Sequence, residues 1–341
     1  MAGSGYSEKI KKPMLRVLTL FFLILSFEVS AQLVEGQILI NGTGEPLANA
    51  SIYYDGMYKG GISNENGIFR LVSADSVRVP IIISAVGYHS TSIADYKSGE
   101  FLKIYLEPKI YSLDAVVVTY DGMSREEKEA IFKKEFIGIS ENSLNCEILN
   151  LDDINLVYNR KRGTVEAFAD DPVILQNTAL GFKITYYLEQ FRFSPEGIYF
   201  SGNYYFEPDT TLAGKDLARV EKRRRQAYLG SRMHFIRSLY NDRLKKDGFS
   251  LLNLARKAKD NSGMVVDREN GRSIFMESRL AVIYKGRSNS ITFLDKNKKF
   301  TSIDKNGFYD PGGISWSGGM ASQRMGDLLP FEYEDPRSRK P

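Results

Sequence analysis

The sequence predicts a mainly β protein: an N-terminal β-sandwich over residues 32–110, then a larger β-rich α+β domain over residues 125–341 with a basic helical insert. Three observations predict it. Apolar residues alternate along short runs such as FLKIYLEP, where Leu102, Ile104 and Leu106 share one face. Turn pairs punctuate those runs at Asn41-Gly42, Asp55-Gly56, Asn66-Gly67 and Gly87-Tyr88. Between Lys215 and Asp247 the period changes: Met233, Ile236, Leu239, Tyr240 and Leu244 recur at helical spacing among eleven Lys or Arg and four Asp or Glu.

Taken in chain order, residues 1–31 read as a secretory signal. Lys9, Lys11, Lys12 and Arg16 precede an apolar run from Val17 to Phe27, and Val29-Ser30-Ala31 puts small residues before a cut that leaves Gln32 first. Met14 is an alternative start. The run is shorter than the roughly 20 residues a membrane-crossing helix needs. Gln32, where a lipid anchor would require cysteine, gives such an anchor no support. Cys146 is the single cysteine, so no intramolecular disulfide can form, and its expected role is that of a small apolar residue. A net charge of +4 is too mild to mark a nucleic-acid binder.

Within the sandwich, VRVPIIISAVGY is dense enough for a central strand, with Pro80 placed where no ladder bond is donated. The oxygen-rich stretch SNENGIF admits two readings. A calcium loop of the EF-hand kind needs alternating oxygen ligands and a carboxylate at its twelfth position, but here the intervening residues are the strand-like IFRLV. A tight two-residue hairpin turn at Asn66-Gly67 is the better expectation.

GTGEPLANASI, SNENGIF and ISAVGY, in that order and spacing, resemble the carboxypeptidase-like regulatory domain of exported Bacteroidetes proteins. The matching positions are Gly44 to Leu47 with Ala50, Asn64 to Phe69, and Ser84 to Tyr88. The resemblance implies a transthyretin-like sandwich, built here as a small antiparallel one. The same domain precedes the plug of many TonB-dependent transporters, and SLDAVVVTYDGM resembles the segment that follows it there, yet the remaining chain is too short for such a barrel. Residues 111–124 are therefore expected to be a linker with an edge strand at Val116 to Thr119.

The second domain opens on SREEKEAIFKKEF, an amphipathic helix near residues 125–137 with Ile131, Phe132 and Phe136 on one face. Two aromatic strands follow, joined at Pro195-Glu196-Gly197, and then the basic helices near 213–247. LGFKITYYLEQF, RRQAYLGSRMHFIRSLY and DLLPFEY resemble a group of Bacteroidetes proteins with the same leading domain, and that resemblance implies no reaction.

Motifs for chemistry are sparse. His89 and His234 are the two histidines, neither with a metalloprotease spacing. Ser315 and Ser317 lie among glycines in GGISWSGG, but Gly313-Ile314-Ser315-Trp316-Ser317 lacks the closing glycine of a nucleophile elbow, so a glycine-rich loop exposing Trp316 is expected. Adjacent acids occur at Asp152-Asp153 and Asp170-Asp171, and a third set at Glu332, Glu334 and Asp335. No metal or other cofactor is called for. The expected function is a non-enzymatic envelope protein, periplasmic or outer-membrane-associated, that acts as a protein- or surface-interaction module. The candidate binding residues are Arg223, Arg224, Arg225 and Arg232 for an anionic lipid or acidic envelope partner, and Tyr204, Tyr205 and Trp316 for a glycan. The alternatives are an envelope hydrolase with a site assembled in the second domain, and a glycan-binding accessory protein. Nucleic acid is excluded as a partner by the expected export.

Overall fold

Alternation in the first part of the chain is realised as two facing sheets. The computed structural model describes residues 33–72, 79–97, 99–109, 121–254, 264–268, 271–276, 278–286, 288–294 and 298–337. The secretory segment and the expected edge strand at Val116 to Thr119 lie outside the described residues. One sheet holds β1 (Leu33–Ile40), β4 (Ile68–Val72) and β7 (Phe101–Leu106) in the order β4-β1-β7. The other holds β2 (Ser51–Tyr54), β3 (Gly60–Ile62), β5 (Ile81–Ser84) and β6 (Thr91–Ile93) in the order β3-β2-β5-β6. Ile38, Ile52, Phe69, Ile81, Ile83 and Leu106 fill the space between them. Pro80 directly precedes β5, an internal strand whose four residues are all buried. The expectation of a wholly antiparallel sandwich is corrected at β1, which pairs in parallel with β7.

SNENGIF forms a tight turn, but not a two-residue hairpin. The strands it joins, β3 and β4, belong to opposite sheets. Asn64 Oδ1 accepts from the amides of Asn66 (3.0 Å) and Ile68 (2.9 Å), and Gly67 N–H closes the turn onto the Asn64 carbonyl at 2.8 Å. Only Gly67 takes a positive φ, +71°, and a Cβ there would stand 2.4 Å from the Ile38 carbonyl oxygen.

The second region opens with α1 (Arg125–Phe136), started by a reciprocal cap between Ser124 and Glu127. It buries Phe132 and Phe136 completely, edge-on to Phe191, which removes apolar surface worth about 1.5–3 kcal/mol per ring. They pack on a six-stranded sheet of β8 (Cys146–Ile148), β9 (Asn155–Asn159), β10 (Thr164–Phe168), β11 (Val173–Asn177), β12 (Phe182–Ser194) and β13 (Gly197–Pro208). The spine is β12. Along one edge it carries β13 from end to end. Along the other, β11 takes Phe182–Tyr186 and β10 takes Phe191–Phe193, with a bulge at Glu189 between.

Two basic helices follow, α2 (Gly214–Tyr228) and α3 (Arg232–Tyr240). Phe235, Ile236 and Leu239 of α3 enter a core of their own with Phe249, Val282, Ile303 and Ile314. That core lies between two further sheets. The first is β14 (Phe249–Asn253), β17 (Leu280–Tyr284), β18 (Ser288–Leu294) and β20 (Ile314–Gly318); the second is β15 (Val265–Arg268), β16 (Gly271–Phe275) and β19 (Phe300–Ile303). The described residues are thus mainly β, and those between 125 and 337 build two cores around the helices.

GGISWSGG departs from the expected loop. It is β20, paired with β18, and Trp316 is half-buried, donating Nε1–H to the Tyr309 hydroxyl at 3.1 Å and meeting Phe235 edge-on.

Candidate functional site

One edge of β13 is bonded to β12, and its other edge would present unpaired amides and carbonyls. The turn after β2 fills that row. Gly56 N–H donates to the Tyr204 carbonyl at 2.7 Å, Phe206 N–H to the Met57 carbonyl at 2.9 Å, and Tyr204 N–H to Asp55 Oδ1 at 3.0 Å. The C-terminal segment closes over the same turn. Phe331 N–H donates to the Gly56 carbonyl at 2.9 Å, and the Glu332 carboxylate accepts from the amides of Tyr58 and Lys59 at 3.1 Å. Gly56 must be glycine here: its φ is +69°, and a Cβ would lie 2.5 Å from the Phe331 ring.

Side chains complete the junction between the sandwich and the six-stranded sheet. Tyr53 stacks on Tyr187 with centroids 5.9 Å apart and tilts against Tyr205 at 4.5 Å, while the Ser84 hydroxyl donates to that of Tyr187. Asp55 is 9% exposed, and burial pushes its carboxyl up to about 7 despite the N–H donated by Tyr204.

Beside this junction opens a cleft of 910 Å³. The β2–β3 turn supplies Met57, Tyr58 and Lys59, the helices supply Arg225, His234 and Arg237, and Lys285, Lys305 and the segment from Phe331 to Arg337 complete the walls. Eight Lys or Arg and four Asp or Glu line it. Internal pairing uses the acids unevenly. Asp335 takes Arg225 at 3.0 Å, Asp247 takes Arg243 at 3.1 Å, and Glu332 is held by the two backbone amides. Burial raises the Glu332 carboxyl above the usual carboxylate range, against those amides.

Arg237 is fully engaged. Its guanidinium donates to the carbonyls of Asn306 (2.9 Å), Tyr333 (2.7 Å) and Phe331 (3.2 Å) and stands over the Tyr228 ring. The side chains of Lys59, Lys246, Lys285, Lys305 and Arg337 make no ion pair among the described residues, and all five are exposed. His234 adds a neutral donor. Burial lowers its imidazole to about 4, and its Nδ1 accepts the Gly230 N–H at 3.0 Å, which leaves the ring proton on Nε2.

Of the residues expected from sequence to bind, only Arg225 lines this cleft. Arg224 pins the β11–β12 turn, donating to the carbonyls of Leu180 (2.8 Å) and Gly181 (3.2 Å) and lying 4.2 Å over the Phe182 ring. Arg232 donates to the Gln323 carbonyl at 3.0 Å, and the side chain of Arg223 is half-buried with no ion pair or hydrogen bond among the described residues. Tyr204 and Tyr205 belong to the junction, and Trp316 to the third core. The four arginines and three aromatic residues therefore do not converge on one surface. Sequence reasoning missed Lys59, Lys285, Lys305 and Arg337, which lie far apart in the chain with no local motif. It did single out Glu332, Glu334 and Asp335, which line the cleft wall.

The remaining candidates for chemistry are dispersed. Cys146 has its thiol pushed up to about 12 by burial, His89 is exposed on the sandwich, and Ser315 and Ser317 lie along β20. Among the described residues no three His, Cys, Asp or Glu side chains are grouped to hold a metal ion, and no helix is long and apolar enough to cross a membrane.

No curated protein matches the chain. Among solved structures, a chain of a type II cohesin–X-dockerin complex from Acetivibrio cellulolyticus is similar at 19% identity and a TM-score of 0.20, over 22% of this chain and 56% of that one. A score that low carries no structural argument. The sandwich is the part that can be placed: residues 34–118 match the family model for the CarboxypepD_reg-like domain, and the chain carries a domain of that kind.

Proposed function

We propose that the protein is a non-enzymatic interaction module of the bacterial envelope, exported by residues 1–31, with the junctional cleft as its ligand surface. The observation that carries this reading is the shared construction of the cleft: one wall is the sandwich turn at Met57 to Lys59, and the others are the helices and C-terminal segment of the second region. A regulatory-like sandwich bonded into its neighbour in this way contributes to one composite surface. Hydrolysis is less well supported, because groups beside His234 are already committed. Ser238 donates its hydroxyl to the His234 carbonyl at 2.7 Å and lies 2.9 Å from Asp247 Oδ2, so it is not the partner of the imidazole. Glycan binding through Tyr204, Tyr205 and Trp316 would require rings that are instead packed in the junction and the third core.

The test is fractionation of expressing cells followed by N-terminal sequencing. The expected result is envelope-localised protein beginning at Gln32. Protein in the cytosol with its first residues intact would contradict the reading.

A further inference from the structure

We propose that the cleft binds a ligand carrying two or three phosphoryl groups, held by Lys59, Lys246, Lys285, Lys305 and Arg337 with the Nε2–H of His234 as a neutral donor. The proposal rests on the binding role above and adds its ligand class. The charge of the cleft is cationic: Asp335 and Asp247 pair with Arg225 and Arg243, Glu332 is held by two backbone amides with the Lys59 charge nearby, and with Glu334 counted, eight Lys or Arg stand against four Asp or Glu. A phosphoryl group carries a charge of about −1.5 to −2 near neutral pH, so two or three of them balance the excess of four positive charges in the lining. A cleft of 910 Å³ is at the upper end of the roughly 300–1,000 Å³ that small-molecule sites occupy.

Donor chemistry favours phosphoryl over carboxylate. Four of the five cations without an ion pair are lysines, whose compact ammonium with three rotatable donors is better matched by the higher charge and three oxygens of a phosphoryl group than by the single charge and two oxygens of a carboxylate. The arginines nearest the junction are already spent, Arg237 on three carbonyls and Arg225 on Asp335. What is left are rotatable donors on several sides, a set suited to an oxyanion with three oxygens per group. The lysines come from the sandwich turn, the loop after α3, the β17–β18 turn and the turn after β19, so a ligand touching all of them spans the junction.

The experiment titrates the mature protein with pyrophosphate and with citrate, which carry similar charge near neutral pH, at low salt. Pyrophosphate is expected to bind about tenfold more tightly than citrate. Lys285→Gln and Lys305→Gln should each weaken pyrophosphate by about fivefold, whereas Lys222→Gln, an exposed lysine outside the cleft, should leave it unchanged. Circular dichroism of each variant verifies that it is folded. Phosphatidylcholine vesicles containing phosphatidic acid distinguish the source. Co-sedimentation lost when Lys285→Gln and Lys305→Gln are combined supports a lipid headgroup, and pyrophosphate binding without co-sedimentation supports a soluble phosphate. Equal affinity for citrate overturns the phosphoryl class and leaves the binding role standing. No binding of either anion, or equal binding by the cleft variants and the parent, overturns the site.

Discussion

Asp55→Asn is expected to make the protein more stable than the parent at pH 8 and no more stable at pH 4. The carboxyl sits in the junction with its pKa raised from 3.8 to about 7 by burial. Below about pH 4 both folded and unfolded chains hold the proton, and Asp55 contributes no pH dependence. Between about pH 4 and 7 the folded state holds it and the unfolded state releases it, so stability falls as pH rises. Above about pH 7 the whole penalty is present, about 4 kcal/mol for a rise of that size. Asparagine keeps an oxygen to accept the Tyr204 N–H and carries no charge to bury. Urea denaturation of parent and variant across pH 4 to 8 measures the difference directly. Parallel curves would mean that Asp55 is not desolvated as the junction requires.

Arg237→Met should cost about 3 kcal/mol, because hydrogen bonds from a charged donor are each worth roughly 1.5–3 kcal/mol and water entering the cleft can replace part of that loss. The guanidinium ties the turn at Asn306 and the segment at Phe331 and Tyr333 to α3. The same segment carries Glu332, which holds the amides of Tyr58 and Lys59. Methionine keeps an apolar stem against Tyr228 and removes the donors. The expected result is a lower denaturation midpoint together with faster amide exchange at Tyr58 and Lys59. A loss below about 1 kcal/mol would place Arg237 with ordinary surface charges.

The elements were legible where one local rule decided them. Alternation placed β7, a dense apolar run placed β5, the stripe of Ile131, Phe132 and Phe136 placed α1, and Pro195-Glu196-Gly197 placed the hairpin between β12 and β13. Failures came where pairing was non-local. Asn66-Gly67 has the composition of a hairpin turn, but the partner of β4 is β1, brought up from the start of the sandwich, so the turn crosses between sheets. The glycines around Trp316 suggested a loop, but β18 pairs with those residues and overrides their low strand propensity.

The cleft was legible only in part for the same reason. Arg223, Arg224 and Arg225 formed a conspicuous run, yet neighbouring helix positions point in different directions, and the protein uses Arg224 and Arg225 within its own structure. Lys59, Lys285 and Lys305 are ordinary exposed lysines in sequence. Only the folding of a sandwich turn against the C-terminal segment puts them around one space.

Amide hydrogen exchange at Gly56, Tyr204, Phe206 and Phe331 tests most directly whether the sandwich and the second region form one unit. Each of these amides donates across the junction, to the Tyr204 carbonyl, Asp55, the Met57 carbonyl and the Gly56 carbonyl respectively. The account predicts protection comparable with amides inside the β12–β13 ladder, because opening the junction would unpair an edge of the six-stranded sheet and expose Tyr53 and Asp55. Exchange of all four at the rate of exposed turns, with the ladder still protected, would show that the sandwich moves independently and that the cleft between them is not a built site.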